Sequence, residues 1–475
     1  MPYDLKAVRK LTLDGSRITN LTHIAEGSFS DGVNTVENLP PFTRTAVVSE
    51  PGSGSYIRFE VWMPDDWNGI FLGLGNGGMA GAIHYGALAE RIRQGYAAVH
   101  TDMGTSRKRN SGIANPDVWK DFGWRATHIM TEQGKAIVRA YYGEKEKYAY
   151  FIGGSTGGQQ AYAEAQRFPA DYDGILAGVP ANNRVYLHTY FLWNHVHLTT
   201  RDGDTMFTDE EITAITDCAA RFLGENGDNF VAFPWNGADT VERFLAYLRK
   251  AMPALTDGQF DALRAVYSGP VNPKTGERIY NGMPIGSEIY GCGIWECQRR
   301  ESPHFYPFIW AFGADYCGHD FDFAEDLDRM GELLSGDLNA NDPDLRPFRE
   351  NGGRLLAYSG SADPCVPFPD AMAYYNRAAE ICGGDTAEFF RYFVLPGMDH
   401  GSGGRGVNRV RGEGGISLLD ALRRWREEGV APDCIEGARE ADGETVFVRR
   451  IALYAADRTA GRSFPPCCDE RYLKM

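Results

Sequence analysis

The stretch that most constrains the fold of this chain is 148–162, which contains Gly153-Gly154-Ser155-Thr156-Gly157. An apolar run of β-forming residues precedes these five residues and a helical pattern follows them, so the stretch predicts a strand, a sharp turn and a helix. This is the setting of a G-x-S-x-G nucleophile elbow, in which a strained turn holds a serine hydroxyl above the edge of a sheet. The start of such a helix also directs backbone N–H groups toward any anion formed there. We therefore predict that Ser155 is a nucleophile.

Length and charge exclude several classes of protein. With 475 residues, the chain is long enough for one large domain with an insertion, or for two domains. Its formal net charge of −16 argues against a nucleic-acid or anionic-membrane partner, because both would repel it. No signal peptide is predicted, and no apolar run of about 18 residues predicts a membrane span, although a chain trimmed of its leader would look the same. The odd number of cysteines, 9, favours a reducing, cytoplasmic location.

Strands alternate with helices along much of the chain, which predicts an α/β fold with a doubly wound, mainly parallel sheet. From 182 to 342 this alternation stops, and long loops with many aromatic residues predict an inserted lid or substrate-binding domain over the catalytic edge. We thus expect an α/β-hydrolase catalytic core at 1–181 and 343–475, with the lid at 182–342. The expected strands of the core are 57–63, 70–74, 95–100, 148–152, 173–180, 353–358 and 388–395.

Three residues that follow predicted strands suggest a catalytic triad. Ser155, Asp363 and His400 occur in the order Ser, Asp, His that α/β-hydrolases use. A serine hydroxyl is a poor nucleophile until a histidine accepts its proton, and a buried carboxylate holds that histidine in the correct tautomer. Asp399 and Asp320 are the alternatives for the acid, and Asp399 is the weaker of the two because adjacent side chains usually point apart.

A glycine-rich loop, Gly75-Asn76-Gly77-Gly78, follows the early strand 70–74. Glycine lets the backbone approach a substrate oxygen closely, so the loop is expected to supply part of an oxyanion hole. We predict that the backbone N–H groups of Thr156 and of Gly77 or Gly78 bind the oxyanion. A flexible turn without a function is the alternative interpretation.

Two groups of lid residues invite functional hypotheses. The aromatic residues Trp193, Trp295, Trp310 and Tyr316 are predicted to bind a flat substrate group, although such side chains also form the core of a lid. The second group has a spacing that matches no common zinc site, so it predicts free thiols or one local disulfide, and we expect no metal or cofactor. It consists of Cys292, Cys297, His304, Cys317 and His319. The adjacent Cys467 and Cys468 are predicted to be structural.

Longer motifs occur along nearly the whole chain. They are FEVWMPDDWNG at 59–69, GNGGMAG at 75–81, GSTGGQQ at 154–160, QRFPADYDG at 166–174, AGVPA at 177–181, YSGP at 267–270, TGERIY at 275–280 and PGMDH at 396–400. Through these motifs the sequence resembles the tannase and feruloyl esterase family. This resemblance implies a serine esterase with an α/β-hydrolase core and a large lid. Its substrates would be esters of aromatic acids, such as galloyl or hydroxycinnamoyl esters, or the terephthalate monoester that one bacterial branch cleaves.

The chain also departs from the family pattern. Family members carry a cysteine before the nucleophile and another after the catalytic histidine, joined as a disulfide, but this chain has Gly154 and Gly401 there. The cysteine often found near 40–41 is missing too, which fits a reducing compartment and leaves packing to hold the triad. Many relatives bind a structural calcium in the lid. The corresponding stretch, 218–229, lacks the alternating aspartates that calcium needs, so we expect no calcium.

Together these features predict a carboxylic-ester hydrolase that cleaves small aromatic esters, chiefly of phenolic acids, through an acyl-enzyme. Within the same fold, the alternative is an esterase or thioesterase for non-phenolic acyl groups. From another class, the alternative is a catalytically silent binding protein that uses the hydrolase fold as a scaffold. The motifs encode neither the preferred acyl group and alcohol nor the oligomeric state.

Overall fold

The fold is centred on a nine-stranded sheet with the strand order β1-β4-β5-β7-β6-β8-β9-β10-β11. The structure is a computed structural model that describes residues 4–25, 27–105, 109–225, 227–234, 237–299, 305–383 and 386–455. The strands are β1 (Ser16–Ile24), β2 (Gly27–Ser30), β3 (Thr35–Leu39), β4 (Phe42–Ser49), β5 (Ile57–Pro64), β6 (Ile70–Leu74), β7 (Ala97–Thr101), β8 (Tyr148–Gly154), β9 (Gly174–Gly178), β10 (Arg354–Gly360), β11 (Phe390–Leu395), β12 (Arg409–Gly412), β13 (Cys434–Ala441) and β14 (Glu444–Ala452).

Helices connect these strands and cover the sheet. They are α1 (Leu5–Arg9), α2 (Tyr85–Ile92), α3 (Pro116–Lys120), α4 (Ala126–Tyr142), α5 (Thr156–Arg167), α6 (Arg184–Leu198), α7 (Asp209–Leu223), α8 (Ala238–Ala251), α9 (Asp257–Ser268), α10 (Ile294–Cys297), α11 (Tyr306–Phe312), α12 (Glu325–Leu338), α13 (Arg346–Glu350), α14 (Phe368–Cys382) and α15 (Leu418–Glu428). Among the described helices, none is both long enough and apolar enough to span a bilayer.

The strands from β7 to β11 in this order run parallel, whereas β1, β4 and β5 form an antiparallel edge. Parallel strands need crossover connections, and helices supply them here. The predicted α/β class with a mainly parallel sheet is therefore confirmed. Two smaller sheets, β2-β3 and β12-β13-β14, lie outside the main one.

Successive residues of the central strands belong to different cores, because side chains alternate between the two faces of a sheet. Phe71 and Phe151 pack in the core that contains residues of α4, α5 and α14. Their neighbours Leu72 and Tyr150 pack in the core that contains residues of α2 and α15. The central strands are thus buried on both faces, as a doubly wound sheet requires.

Between β9 and β10, the described residues form helices α6 to α13 and no strand of the main sheet. Much of this segment shares one apolar core, which includes Leu187, Phe244 and Leu263. Cys365 and Val366, from the loop after β10, join the same core. The predicted boundaries of the lid at 182 and 342 stay a prediction.

Candidate active site

The turn between β8 and α5 is strained at Ser155, whose backbone angles are φ 60° and ψ −117°. Non-glycine residues rarely adopt a positive φ, and such strain concentrates at functional sites. A Cβ atom added at Gly153 would lie 2.5 Å from the carbonyl oxygen of Gly157, and one added at Gly75 would lie 2.6 Å from the Cα of Gly157. The ends of β6 and β8 and the first turn of α5 therefore meet through glycine, which is the physical reason for the glycines around Ser155.

The loop after β6 is tied to the first turn of α5. The Thr156 hydroxyl donates a hydrogen bond to the carbonyl oxygen of Gly78 at 2.7 Å. The Gly157 N–H donates to the carbonyl oxygen of Asn76, also at 2.7 Å. Ser155, Thr156, Gly77 and Gly78 line one cavity of about 360 Å³. The structure thus brings together the predicted nucleophile and the predicted oxyanion-binding residues.

Asp363 and His400 form a hydrogen-bonded pair, with Nδ1 of His400 at 2.8 Å from Oδ2 of Asp363. The Asp363 side chain is fully buried, whereas the His400 side chain is 28% exposed. The other oxygen, Oδ1 of Asp363, accepts hydrogen bonds from the backbone N–H groups of Cys365 at 2.7 Å and Val366 at 2.9 Å. Burial alone would lower the pKa of His400, but the adjacent Asp363 carboxylate raises it well above its ordinary value.

The sheet places these residues at one edge. In the strand register, Gly154 of β8 pairs with Gly178 of β9, which in turn pairs with Tyr358 of β10. Gly360 of β10 then pairs with Leu395 of β11. Ser155, Asp363 and His400 therefore follow the carboxyl ends of β8, β10 and β11, parallel strands at one edge of the sheet, where α/β folds bind their ligands.

The two alternative acids have different surroundings. The Asp320 side chain is 59% exposed and pairs with Arg201. Burial, and then the charge of Asp363, raises the pKa of Asp399 to about 7. Of the three predicted candidates, Asp363 is the one that holds His400.

A single face of α6 forms one wall of the cavity. Arg184, Leu187, His188 and Phe191 lie on it, and Tyr306 at the start of α11 lies nearby in the lining. Their spacing on α6 is that of one helical face, i, i+3, i+4 and i+7. We did not predict Arg184, Leu187 and His188 from the sequence, although this spacing directly after a strand was the signal available.

The four aromatic residues predicted to bind substrate are not among the described residues that line this cavity. Each packs instead against other side chains or backbone of the 182–342 segment or its neighbours, as in the alternative interpretation of a lid core. The Trp193 Nε1 group donates to the carbonyl oxygen of Ala265, Trp295 lies under the Arg299 guanidinium, Trp310 contacts Phe122 edge to face, and Tyr316 stacks on Phe308 and Phe312.

Among the described residues, metal-ligand side chains gather at His128, Glu164 and Asp171. His128 Nδ1 already bonds Asp171 at 2.8 Å, and the Lys135 ammonium group contacts the Asp171 carbonyl oxygen, so a nearby positive charge opposes a cation there. Among the described cysteines, Cys218, Cys297, Cys317, Cys382 and Cys434 are free thiols. His304, Cys467 and Cys468 lie outside the described residues. In the stretch 218–229, the Asp228 carboxylate pairs with Arg449.

The mainly parallel nine-stranded sheet and the strained strand-to-helix turn define an α/β-hydrolase fold. Solved structures share this fold. Feruloyl esterase B from Aspergillus oryzae matches with a TM-score of 0.83 at 24% sequence identity, covering 96% of this chain and 98% of its own. Tannin acyl hydrolase from Aspergillus niger matches with a TM-score of 0.68 at 18% identity, covering 95% and 92%.

The sequence profile of tannase and feruloyl esterase matches residues 43–302 and 315–467. The chain therefore belongs to the tannase and feruloyl esterase family, which confirms the predicted resemblance, and it is a carboxylic-ester hydrolase. An uncharacterized esterase of Xanthomonas campestris pv. campestris is 31% identical over 91% of this chain and 84% of its own length. Feruloyl esterase C of Talaromyces stipitatus is 29% identical over 92% and 86%.

Proposed function

We propose that this protein hydrolyses esters of phenolic acids through Ser155, His400 and Asp363, by way of an acyl-enzyme. The observation that carries the proposal is the strained Ser155 turn, which opens into a cavity next to Thr156, Gly77 and Gly78. The pair of Asp363 and His400, bonded at 2.8 Å, follows neighbouring strands at the same sheet edge. The phenolic acyl group is proposed from the names of the relatives, which include feruloyl esterase C.

In the proposed mechanism, the Nδ1–H group of His400 donates a hydrogen bond to the Asp363 carboxylate, so Nε2 is free to accept the Ser155 hydroxyl proton. The Ser155 oxygen attacks the ester carbonyl, and the N–H groups of Thr156 and of Gly77 or Gly78 hold the resulting oxyanion. His400 returns the proton to the leaving alcohol, which leaves the acyl group on Ser155. A water molecule then gives a proton to His400 and attacks the acyl-enzyme, and His400 passes this proton to the Ser155 oxygen as the acid is released.

The cavity suits one acyl group of moderate size. Its volume of about 360 Å³ lies at the lower end of the range of small-molecule sites. Leu187, Phe191, Tyr306 and Val366 give it apolar and aromatic walls. In this proposal Phe191 and Tyr306 contact the acyl ring.

The proposed reaction uses no metal or cofactor, because the Asp363–His400 pair activates the nucleophile.

Backbone hydrogen bonds hold the elbow in this chain, which has Gly154 and Gly401 where family members carry the two cysteines of a disulfide. The Ser155 N–H donates to the Gly178 carbonyl oxygen at 3.0 Å, and the Ala181 N–H donates to the Ser155 carbonyl oxygen at 3.1 Å. The elbow is thus fixed to the segment 178–181, which directly precedes the predicted lid.

The test is a hydrolysis assay with methyl gallate, methyl ferulate and p-nitrophenyl butyrate, on the wild type and on Ser155→Ala. We expect one phenolic ester to be preferred and the variant to be inactive. Turnover of the butyrate alone would favour the esterase for non-phenolic acyl groups. A wild type that neither hydrolyses an ester nor reacts with an active-serine phosphonate would favour the silent binding protein.

A further inference from the structure

A buried arginine lies beside the proposed oxyanion hole. Arg184 is the first residue of α6, is only 4% exposed and lines the same cavity as Ser155. Its Nε group donates to Oε1 of Gln159 at 2.9 Å, and its Nη2 group donates to the Thr156 hydroxyl oxygen at 3.0 Å. The guanidinium also lies 5.5 Å from the centre of the Phe122 ring. All of these partners are neutral, and within the described residues no carboxylate forms an ion pair with Arg184.

A buried cation without an anion is costly, so its retention calls for an explanation. The cost is greater here because the guanidinium lies at the N-terminus of α6 and is bonded to the first turn of α5. Helix N-termini carry partial positive charge. Three sources of positive potential therefore meet at one end of the cavity.

The proposed reaction supplies the missing anion transiently. When Ser155 attacks the ester, negative charge develops on the carbonyl oxygen beside the Thr156 N–H group. The Thr156 hydroxyl, which accepts the hydrogen bond from Arg184, donates its own to the Gly78 carbonyl oxygen at 2.7 Å. Arg184 is thereby connected to both predicted sides of the oxyanion hole.

We propose that Arg184 is a positioning residue of the oxyanion hole, which orients Thr156 and stabilises the oxyanion by its charge. The inference rests on the proposed function. It assigns Arg184 a role in the charged tetrahedral state and none in binding the neutral ester. Interactions that are stronger in the transition state raise kcat, whereas uniform binding changes KM.

The experiment compares Arg184→Gln and Arg184→Lys with the wild type, using methyl ferulate turnover and inhibition by phenylboronic acid. This acid forms a tetrahedral anion with a reactive serine and so reports oxyanion stabilisation without turnover. We expect Arg184→Gln to lower kcat and boronate affinity by a similar factor of about 10 to 100, with little change in KM. Arg184→Lys should recover part of both losses, because it keeps the charge.

Two further variants separate the charge from the fold. Gln159→Glu keeps Arg184 but gives it a carboxylate partner, so we expect a similar loss of kcat and boronate affinity. This variant decides the question if Arg184→Gln does not fold. Arg167→Gln removes an exposed arginine at the other end of α5, which donates to the Gly336 carbonyl oxygen and lies over the Trp124 ring, and it should leave the kinetics unchanged.

Three results would overturn the inference. If Arg184→Gln lowers the unfolding temperature but leaves kcat and boronate affinity unchanged, the role of Arg184 is purely structural. The variant could lower kcat without weakening the boronate, which separates Arg184 from the oxyanion. It could raise KM only for esters whose acyl group carries a carboxylate, which would make Arg184 a substrate-binding residue. A wild type that is inactive and binds no boronate contradicts the proposed function itself, and the inference falls with it.

Discussion

Replacing Asp363 by asparagine tests how His400 is held. The Asp363 Oδ1 atom accepts two backbone N–H groups, those of Cys365 and Val366. In the variant, the single oxygen of the asparagine will occupy the position of Oδ1 and accept these two N–H groups. The opposite orientation of the amide would place its NH₂ group against two donors. The NH₂ group then faces Nδ1 of His400, which can only accept, so the histidine carries its proton on Nε2. In this tautomer His400 cannot take the proton of Ser155.

The expected loss is large. The same change of tautomer in a catalytic triad lowers kcat by about 10⁴, or about 5.4 kcal/mol at 1.36 kcal/mol per factor of ten. The assay is initial-rate hydrolysis of methyl ferulate by wild type and Asp363→Asn, with the unfolding temperature of both measured to show that the variant is folded. Asp399→Asn is the matched control. The pKa of Asp399 is raised to about 7, so much of this carboxyl is already protonated at neutral pH, and the loss should stay within about fivefold.

The pH dependence gives a second readout of the same variant. In the proposed mechanism His400 must be neutral to act as a base, and the Asp363 carboxylate raises its pKa above the ordinary 6.5 against the opposite effect of burial. Wild-type kcat/KM should therefore rise with pH through a pKa above 6.5. In Asp363→Asn the largest influence that raises the pKa of His400 is gone and burial still lowers it, so the residual activity should rise through a lower pH range than in the wild type. Three results would refute this reasoning. They are a kcat of Asp363→Asn within tenfold of the wild type, an unshifted pH profile of that variant, or a larger loss of kcat in Asp399→Asn than in Asp363→Asn.

Two further predictions concern stability. Gly153→Ala places a Cβ atom 2.5 Å from the Gly157 carbonyl oxygen, so urea unfolding should show a loss of at least about 1–3 kcal/mol. Gly336→Ala, in α12 with no atom within 4 Å of the new methyl group, should instead gain about 0.5–1 kcal/mol, and equal effects would contradict the packing argument. The raised pKa of Asp399 means that the folded chain keeps a proton that the unfolded chain releases between about pH 4 and 7. Wild type should lose stability relative to Asp399→Asn as pH rises through this window, and a constant difference in unfolding temperature would contradict it.

The sequence was informative where local pattern decides structure. The β8–α5 elbow needs glycine at positions where backbones touch, and Gly75, Gly153 and Gly157 mark these positions directly. Asp363 and His400 follow strands, and the carboxyl ends of parallel strands share one edge whatever the details of packing. The strands and the candidate triad positions could therefore be read before any tertiary contact was known.

The walls of the cavity could not be predicted in this way, and the hydrogen bond that supports Asp363 over the alternative acids is visible only in the structure. Asp363 and Asp399 both follow core strands in sequence, and only the direction of the side chains shows that Asp363 bonds His400. The type of an aromatic residue in the 182–342 segment does not indicate whether its side chain faces the cavity. Phe191 lines the cavity, whereas Trp193, two residues further along α6, points to another side of the helix.

The sequence by itself thus determined the fold class, the elbow at Ser155 and the order of the candidate catalytic residues, because these depend on short-range periodicity and on glycine geometry. Only the tertiary structure decided which face of α6 meets the cavity, and so revealed Arg184 next to Thr156. A helical face is defined by the sequence, but the surface that it packs against depends on contacts between residues far apart in the chain. For this reason the position of Arg184 beside Thr156 could be seen only in the tertiary structure.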